Sequence, residues 1–165
     1  MVASLDLCEN FNDVFSLVKK TTEHFLGQSR SGLMLYLARL PEQVAAYHAF
    51  GTNGIVLNRT TLDTVTHSAK SLREVNAYVY STLLHEYLHS LGYIEERKVR
   101  ELVYDISLSA FGSEHPATMI AAQGPAAFFP EIAFTQGGLA GQPDSEPTDV
   151  EVIPDIEGSS RNYIS

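Results

Sequence analysis

Phe11, Val14, Phe15 and Val18, followed by Phe25 and Leu26, recur at the three-to-four-residue spacing of one helix face. Gly27 closes that run, so the pattern predicts an N-terminal helix that packs an aromatic stripe on a sheet. The period then changes. Residues 33–40 form a short apolar run stopped by Pro41, as expected of a buried strand. Residues 43–50 read as a second strand, Gly51-Thr52-Asn53-Gly54 as a turn and residues 55–58 as a third, short strand. Residues 60–69 fit a short helix or a loop.

The next stretch without Pro or Gly, residues 74–91, is long enough for five helical turns. Ser71-Leu72-Arg73-Glu74 before it has the form of a capping box, and Gly92 stands where a helix C-cap belongs. A second helix is predicted over residues 95–111. Its apolar stripe of Val99, Leu102, Val103, Ile106 and Ala110 should pack on the preceding helix, with Glu101 and Asp105 turned to solvent. Ser113-Glu114-His115-Pro116 reads as a further helix start. Residues 117–123 would form that helix, ended by Gly124-Pro125, and residues 126–134 are apolar enough to dock on the body. These elements describe an α+β fold: a small mixed sheet of about three strands, packed with an N-terminal helix and two long consecutive helices.

Composition adds boundaries. A chain of 165 residues supports one domain with one core. Beyond Gly137 the residues shift to Gly, Pro, Asp, Glu and Ser. Residues 137–165 hold six acidic side chains and one basic one, −5 of the net −9. The expected division is therefore a folded domain over residues 1–136 and an acidic, disordered tail over 137–165. The negative charge argues against a nucleic-acid partner, whose phosphates attract Lys and Arg. There is no apolar run of membrane-spanning length and no signal-peptide pattern at the start, so a cytoplasmic location without membrane contact is expected. The single cysteine, Cys8, excludes an internal disulfide and reads as a plain thiol rather than a switch.

The chemistry lies in the second half of the 74–91 helix. His85-Glu86-Tyr87-Leu88-His89 is an H-E-x-x-H pattern. Residues i and i+4 share a helix face, so His85 and His89 can ligate one Zn2+ ion while Glu86 serves as general base and acid. A catalytic zinc takes a third protein ligand and keeps a position for water. Glu96 is the preferred third ligand, because it lies one turn ahead of the packing residue Val99. Glu95 is the alternative, since it ends an H-E-x-x-H-x-x-G-x-x-ligand spacing. Tyr93 and His115 are candidate stabilisers of a developing oxyanion. Tyr78 shares a helix face with His85 and is weighed for the same role, but Tyr78 and Tyr87 read as core aromatics. His24, His48 and His67 have no partner at ligand spacing and read as structural or exposed.

In residues 85–93, with Glu95-Glu96 behind them, the chain resembles the minigluzincins, small soluble archaeal metallopeptidases. Asn53-Gly54-Ile55-Val56-Leu57-Asn58 and Phe111-Gly112-Ser113-Glu114-His115-Pro116 share in the resemblance, which spans roughly residues 5–123. It implies a minimal gluzincin domain with a small sheet, an active-site helix and a glutamate helix. It also implies peptide-bond hydrolysis and, in some members, latency imposed by a C-terminal segment. The expected activity is thus a zinc metallopeptidase acting on peptides or proteins; the alternative is a non-catalytic, zinc-stabilised peptide-binding module. Ile55, Val56 and Leu57 are the candidate strand edge for pairing with substrate. An exposed edge would also permit self-association. The apolar-acidic stretch of residues 150–156 is a candidate plug for the cleft, in which case truncation at Gly137 should raise activity several-fold.

Overall fold

The computed structural model describes residues 2–132 and 147–154. Within them, six α-helices pack with a four-stranded mixed sheet, two of the helices lying against its strands. The α+β class expected from the sequence is therefore the class observed, with one strand more than the roughly three foreseen.

The chain opens with a short helix α1 (Val2–Asp6) that the apolar pattern does not announce, then enters α2 (Phe11–Leu26). Asn10 caps α2 by accepting from the Asp13 N–H, and Gly27 ends it at φ 70°. Its inward stripe is Phe11, Val14, Phe15, Leu17 and Val18, all buried. Strands β1 (Met34–Arg39), β2 (Ala46–His48) and β3 (Gly54–Asn58) follow. β2 is shorter than the 43–50 stretch suggests. Residues 60–69, which fit either a helix or a loop, fall in helix α3 (Arg59–Ser68) and its C-cap Ala69, with the Asn58 side chain capping the start at the Thr60 N–H.

Helix α4 (Leu72–Ser90) is the axis of the molecule, in contact with α1, α2, α3, α5, α6, β2 and β3. Its burial runs almost all the way round, from Val75 through Leu83 and Leu84 to His89 and Ser90. Ser71 caps it by accepting from the Glu74 N–H. The Glu74 carboxylate reaches back to the Lys70 N–H, one residue beyond the partner a strict capping box would give it. Gly92 turns the chain at φ 108°, a conformation that L side chains rarely adopt. Helix α5 (Glu96–Phe111) then runs back, burying Val99, Leu102, Val103 and Ile106 as its stripe requires, while α6 (Pro116–Gln123) packs on both α4 and α5.

The sheet order is β2-β3-β1-β4, with β3 parallel to β1 and both outer pairs antiparallel. β4 (Thr148–Ile153) comes from the acidic tail. The expectation of a disordered tail thus fails over these residues; residues 137–146 and 155–165 lie outside the described residues. The folded unit also reaches past the expected boundary at residue 136. Strand β4 is held by ladder bonds to β1, by Arg59–Glu151 at 2.9 Å, by Arg39–Asp149 at 3.6 Å and by the Asn12 amide donating to the Pro154 carbonyl at 2.6 Å. Ile153 pairs with Leu35 and is buried with it. Two of the acidic residues that suggest disorder, Asp149 and Glu151, instead meet arginines at the sheet edge.

A second correction concerns β3. It is bonded to β2 on one side and to β1 on the other, so Ile55, Val56 and Leu57 have no edge free for a peptide. The outer strands are β2 and β4, and it is β2 that meets α4 beside the H-E-x-x-H residues.

No helix of the described residues is long and apolar enough to cross a membrane. Cys8 is buried, its thiol donates to the Ser4 carbonyl, and burial together with Asp13 and Asp6 pushes it up to about 11. It is an inert core thiol at neutral pH.

Candidate metal centre

His85 and His89 project from the same face of α4, one turn apart, with ring centroids 5.0 Å from each other. The turn at Gly92 brings the first residue of α5 back over them. Glu96 Oε2 lies 3.0 Å from His85 Nε2, and Glu96 Oε1 lies 2.6 Å from His89 Nε2. The three donor atoms lie within 4.8 Å of one another, and this group can hold a metal ion. Two imidazoles and one carboxylate are a donor set that borderline divalent ions favour. Glu95, by contrast, is exposed and serves as the α5 N-cap without a side-chain capping bond. Between the two glutamates, the structure gathers Glu96 with the histidines.

The histidines are oriented by their surroundings. His89 is 2% exposed and its Nδ1 donates to the Tyr93 carbonyl at 2.7 Å, which turns Nε2 towards Glu96. Backbone bonds of this kind fix ring orientation and tautomer in metal-binding histidines. Burial lowers the affinity of His89 for its proton, but Glu96, the Glu86 charge and the Tyr93 carbonyl outweigh that and raise it. Burial likewise works to raise Glu96; the hydrogen bonds from His85 and His89 prevail and hold its carboxyl down at about 2. Glu96 is therefore an anion throughout the neutral range, as a ligand must be.

Glu86 stands between the two histidines in sequence but is not in the triad. It is 7% exposed, and burial pushes its carboxyl above the usual range against the pull of His85 and His89. Its carboxylate accepts the His48 backbone N–H, the last residue of strand β2. The Phe50 ring stands edge-on to both His48 and His89, with centroids 5.8 and 5.6 Å away. The site is thus walled by α4 on one side, by the Gly92 turn and α5 on another, and by the outer strand β2 with Phe50 on a third.

The other candidates divide differently. Tyr93 sits in the turn and contributes its carbonyl to His89, while its hydroxyl donates to Gln28 at 2.8 Å. His115 is excluded from the site by its bonding. It caps α6 by accepting the Ala117 N–H on Nδ1, donates from Nε2 to Asp6 at 2.8 Å and stacks on Phe111. These contacts place it beside the first half of α4, with Arg73 and Tyr80, away from His85 and His89. Tyr78 and Tyr87 are core aromatics, as their pattern suggests. Tyr78 meets Thr61 and Phe129, and Tyr87 stands edge-on to Phe15.

Three features of the site escape sequence reading. His48 takes part through its main-chain N–H, for which residue type carries no signal. Phe50 follows a strand pattern and only the fold brings it to His89. Arg30, a lone cation between Ser29 and Ser31, bonds the C-terminal end of α4 from a loop. The segment of residues 150–153, considered as a plug for this cleft, belongs to β4 on the opposite edge of the sheet from β2.

Comparison with known proteins returns no match: no family model, no curated protein and no solved structure matches the chain. The resemblance to minigluzincins rests on the residues of this chain alone.

Proposed function

We propose that the chain is a zinc-dependent metallopeptidase. The observation that carries this reading is the pairing of the His85-His89-Glu96 triad with a buried carboxylate, Glu86, that stays outside it. A group that only stabilised a bound metal would not need a second carboxylate, outside the triad, held by a strand N–H at its side. The donor set fits zinc, with His85, His89 and Glu96 holding the ion and leaving room for water. Bound there, zinc supplies Lewis-acid polarisation of water and of a carbonyl.

The residues of the chain supply the proton transfers and the alignment. The Glu86 carboxylate takes the proton from the attacking water and returns it to the leaving amine nitrogen. Its raised proton affinity suits both steps, since the group must gain a proton readily and hold it briefly. The His48 N–H limits the directions in which that carboxylate can point. Strand β2 has β3 on one side only, and an extended peptide laid against its outer edge would pass beside Glu86. This role, assigned by sequence to Ile55, Val56 and Leu57, passes to the neighbouring strand. The Gly92 turn borders the site, and Ile94 in it is exposed.

Glu86→Gln keeps the size and hydrogen-bonding reach of the side chain and removes the base. Peptide hydrolysis should fall at least about a hundredfold while zinc content stays at the wild-type level. Hydrolysis undiminished by this change would remove Glu86 as the base, and no hydrolysis by the zinc-loaded wild type would leave a peptide-binding module with a structural metal.

A further inference from the structure

Between α2 and β1 the chain passes through residues 27–33, and Arg30 in this loop makes three hydrogen bonds to two parts of the metal centre's frame, helix α4 and the turn after β2. Its Nη1 donates to the Ser90 carbonyl at 2.7 Å, and its Nη2 donates to the Thr52 carbonyl at 3.0 Å. Its own main-chain N–H donates to the Tyr87 hydroxyl at 2.9 Å. We infer that Arg30 is a positioning residue that fixes strand β2 against helix α4 and thereby sets the geometry of His89 and Glu86. This inference rests on the metal-centre reading above.

The two carbonyls belong to the elements that carry the site. Ser90 is the last residue of α4 and the neighbour of His89. The final carbonyls of a helix lack intrahelical partners and carry the negative end of its dipole, so a guanidinium there is favoured twice. Thr52 lies in the turn between β2 and β3. Its N–H and hydroxyl both bond the Ala49 carbonyl, which ties it to the residue directly after His48. One planar fork therefore spans the helix end that carries His89 and the strand end that supplies the N–H to Glu86. Lysine cannot reproduce this span, because a single ammonium on a flexible stem lacks the rigid two-point fork. Gln28 in the same loop reinforces the clamp by accepting the Tyr93 hydroxyl, next to the carbonyl that orients His89. The Phe50 ring, edge-on to both His48 and His89, depends on the same spacing between strand and helix.

Cobalt is the probe, because its visible absorption reports ligand geometry directly. The full chain is loaded with cobalt, and its spectrum and its retention against a competing chelator are recorded beside apo-protein melting. The expected result is that Arg30→Gln shifts the cobalt bands and weakens retention about tenfold, with Arg30→Lys intermediate. Arg39→Gln, which removes ion pairs with Asp63 and Asp149 and a hydrogen bond to Thr60, none of them at the metal centre, should leave both readouts at wild type. A folded Arg30→Gln variant with the wild-type spectrum and retention overturns the inference, even if its melting temperature drops. Should Arg30→Gln fail to fold, Arg30→Lys decides by the same two readouts, and wild-type values overturn the inference. Failure of the wild-type chain to bind cobalt at all would remove the metal-centre reading itself, a result distinct from wild-type behaviour in the variants.

Discussion

Glu95 and Glu96 are adjacent in the chain, yet one is an exposed helix cap and the other lies 2.6 and 3.0 Å from two imidazole nitrogens. The helical face explains the difference. Glu96 lies one turn before Val99, which is buried, so its side chain turns towards α4. That much is legible in the sequence, because the stripe of α5 is regular. The role of His115 is not. A histidine two residues after a serine and just before a proline looks available for chemistry, whereas the fold uses it as a buried cap. Its Nδ1 accepts the Ala117 N–H and can do so only unprotonated. Burial lowers its proton affinity and prevails over the raising effect of Asp6, while Arg73, on the far side of Asp6, lowers it further. The sign for stability follows. The unfolded chain takes up this proton as pH falls through about 6.5, and the folded chain resists it, so stability should be lost as the solution is acidified through that value. A ring titration followed by NMR should place His115 below the free-histidine value. His115→Asn should show a shallower fall in denaturant midpoint between about pH 7 and pH 5.5 than wild type. An identical fall in both would remove His115 from the account.

Elements are legible where their period is strong. The stripes of α2 and α5 locate those helices to within a residue or two, and Ser71 with Gly92 brackets α4. Sheet order is a different matter, because hydrogen-bond partners of strands far apart in the chain leave no local trace. Ile55, Val56 and Leu57 would look the same in an interior strand as at an edge. The tail is the sharper case. In Thr148–Ile153 the residues alternate, but Val150 and Val152 are exposed while Glu151 turns in to Arg59 and Ile153 joins the core. The partner that makes sense of Glu151 stands 92 positions away. Since β4 covers the edge of β1 rather than the cleft, removing residues 147–165 should destabilise the protein and not activate it. Loss of the buried Ile153 contact alone is worth about 2 kcal/mol, to which the lost ladder bonds add. A denaturant titration of the truncated chain checks this. Unchanged stability together with a several-fold rise in hydrolysis would restore the inhibitory role for the tail.

In the whole molecule, the candidate metal centre is assembled from the two helices joined at Gly92 and bordered by the outer strand β2. Helix α4 has little amphipathic character because it is surrounded on nearly every side, so its placement is set by the whole core. Metal binding should therefore report on folding. An ion that binds only the assembled triad stabilises the folded chain by mass action, about 2.7 kcal/mol when free metal exceeds its dissociation constant a hundredfold. Chelation should lower the melting temperature of the wild-type chain and leave that of His89→Ala unmoved. Equal shifts in the two proteins would place the bound ion elsewhere.

Whether His85, His89 and Glu96 form one metal-binding centre is decided by metal content per chain. Elemental analysis of the purified wild type would be set beside Glu95→Ala and Glu96→Ala. One zinc per chain is expected in the wild type and in Glu95→Ala, and its loss in Glu96→Ala. Zinc lost with Glu95 and kept without Glu96, or no zinc taken up by the wild type, would contradict a centre of these three residues.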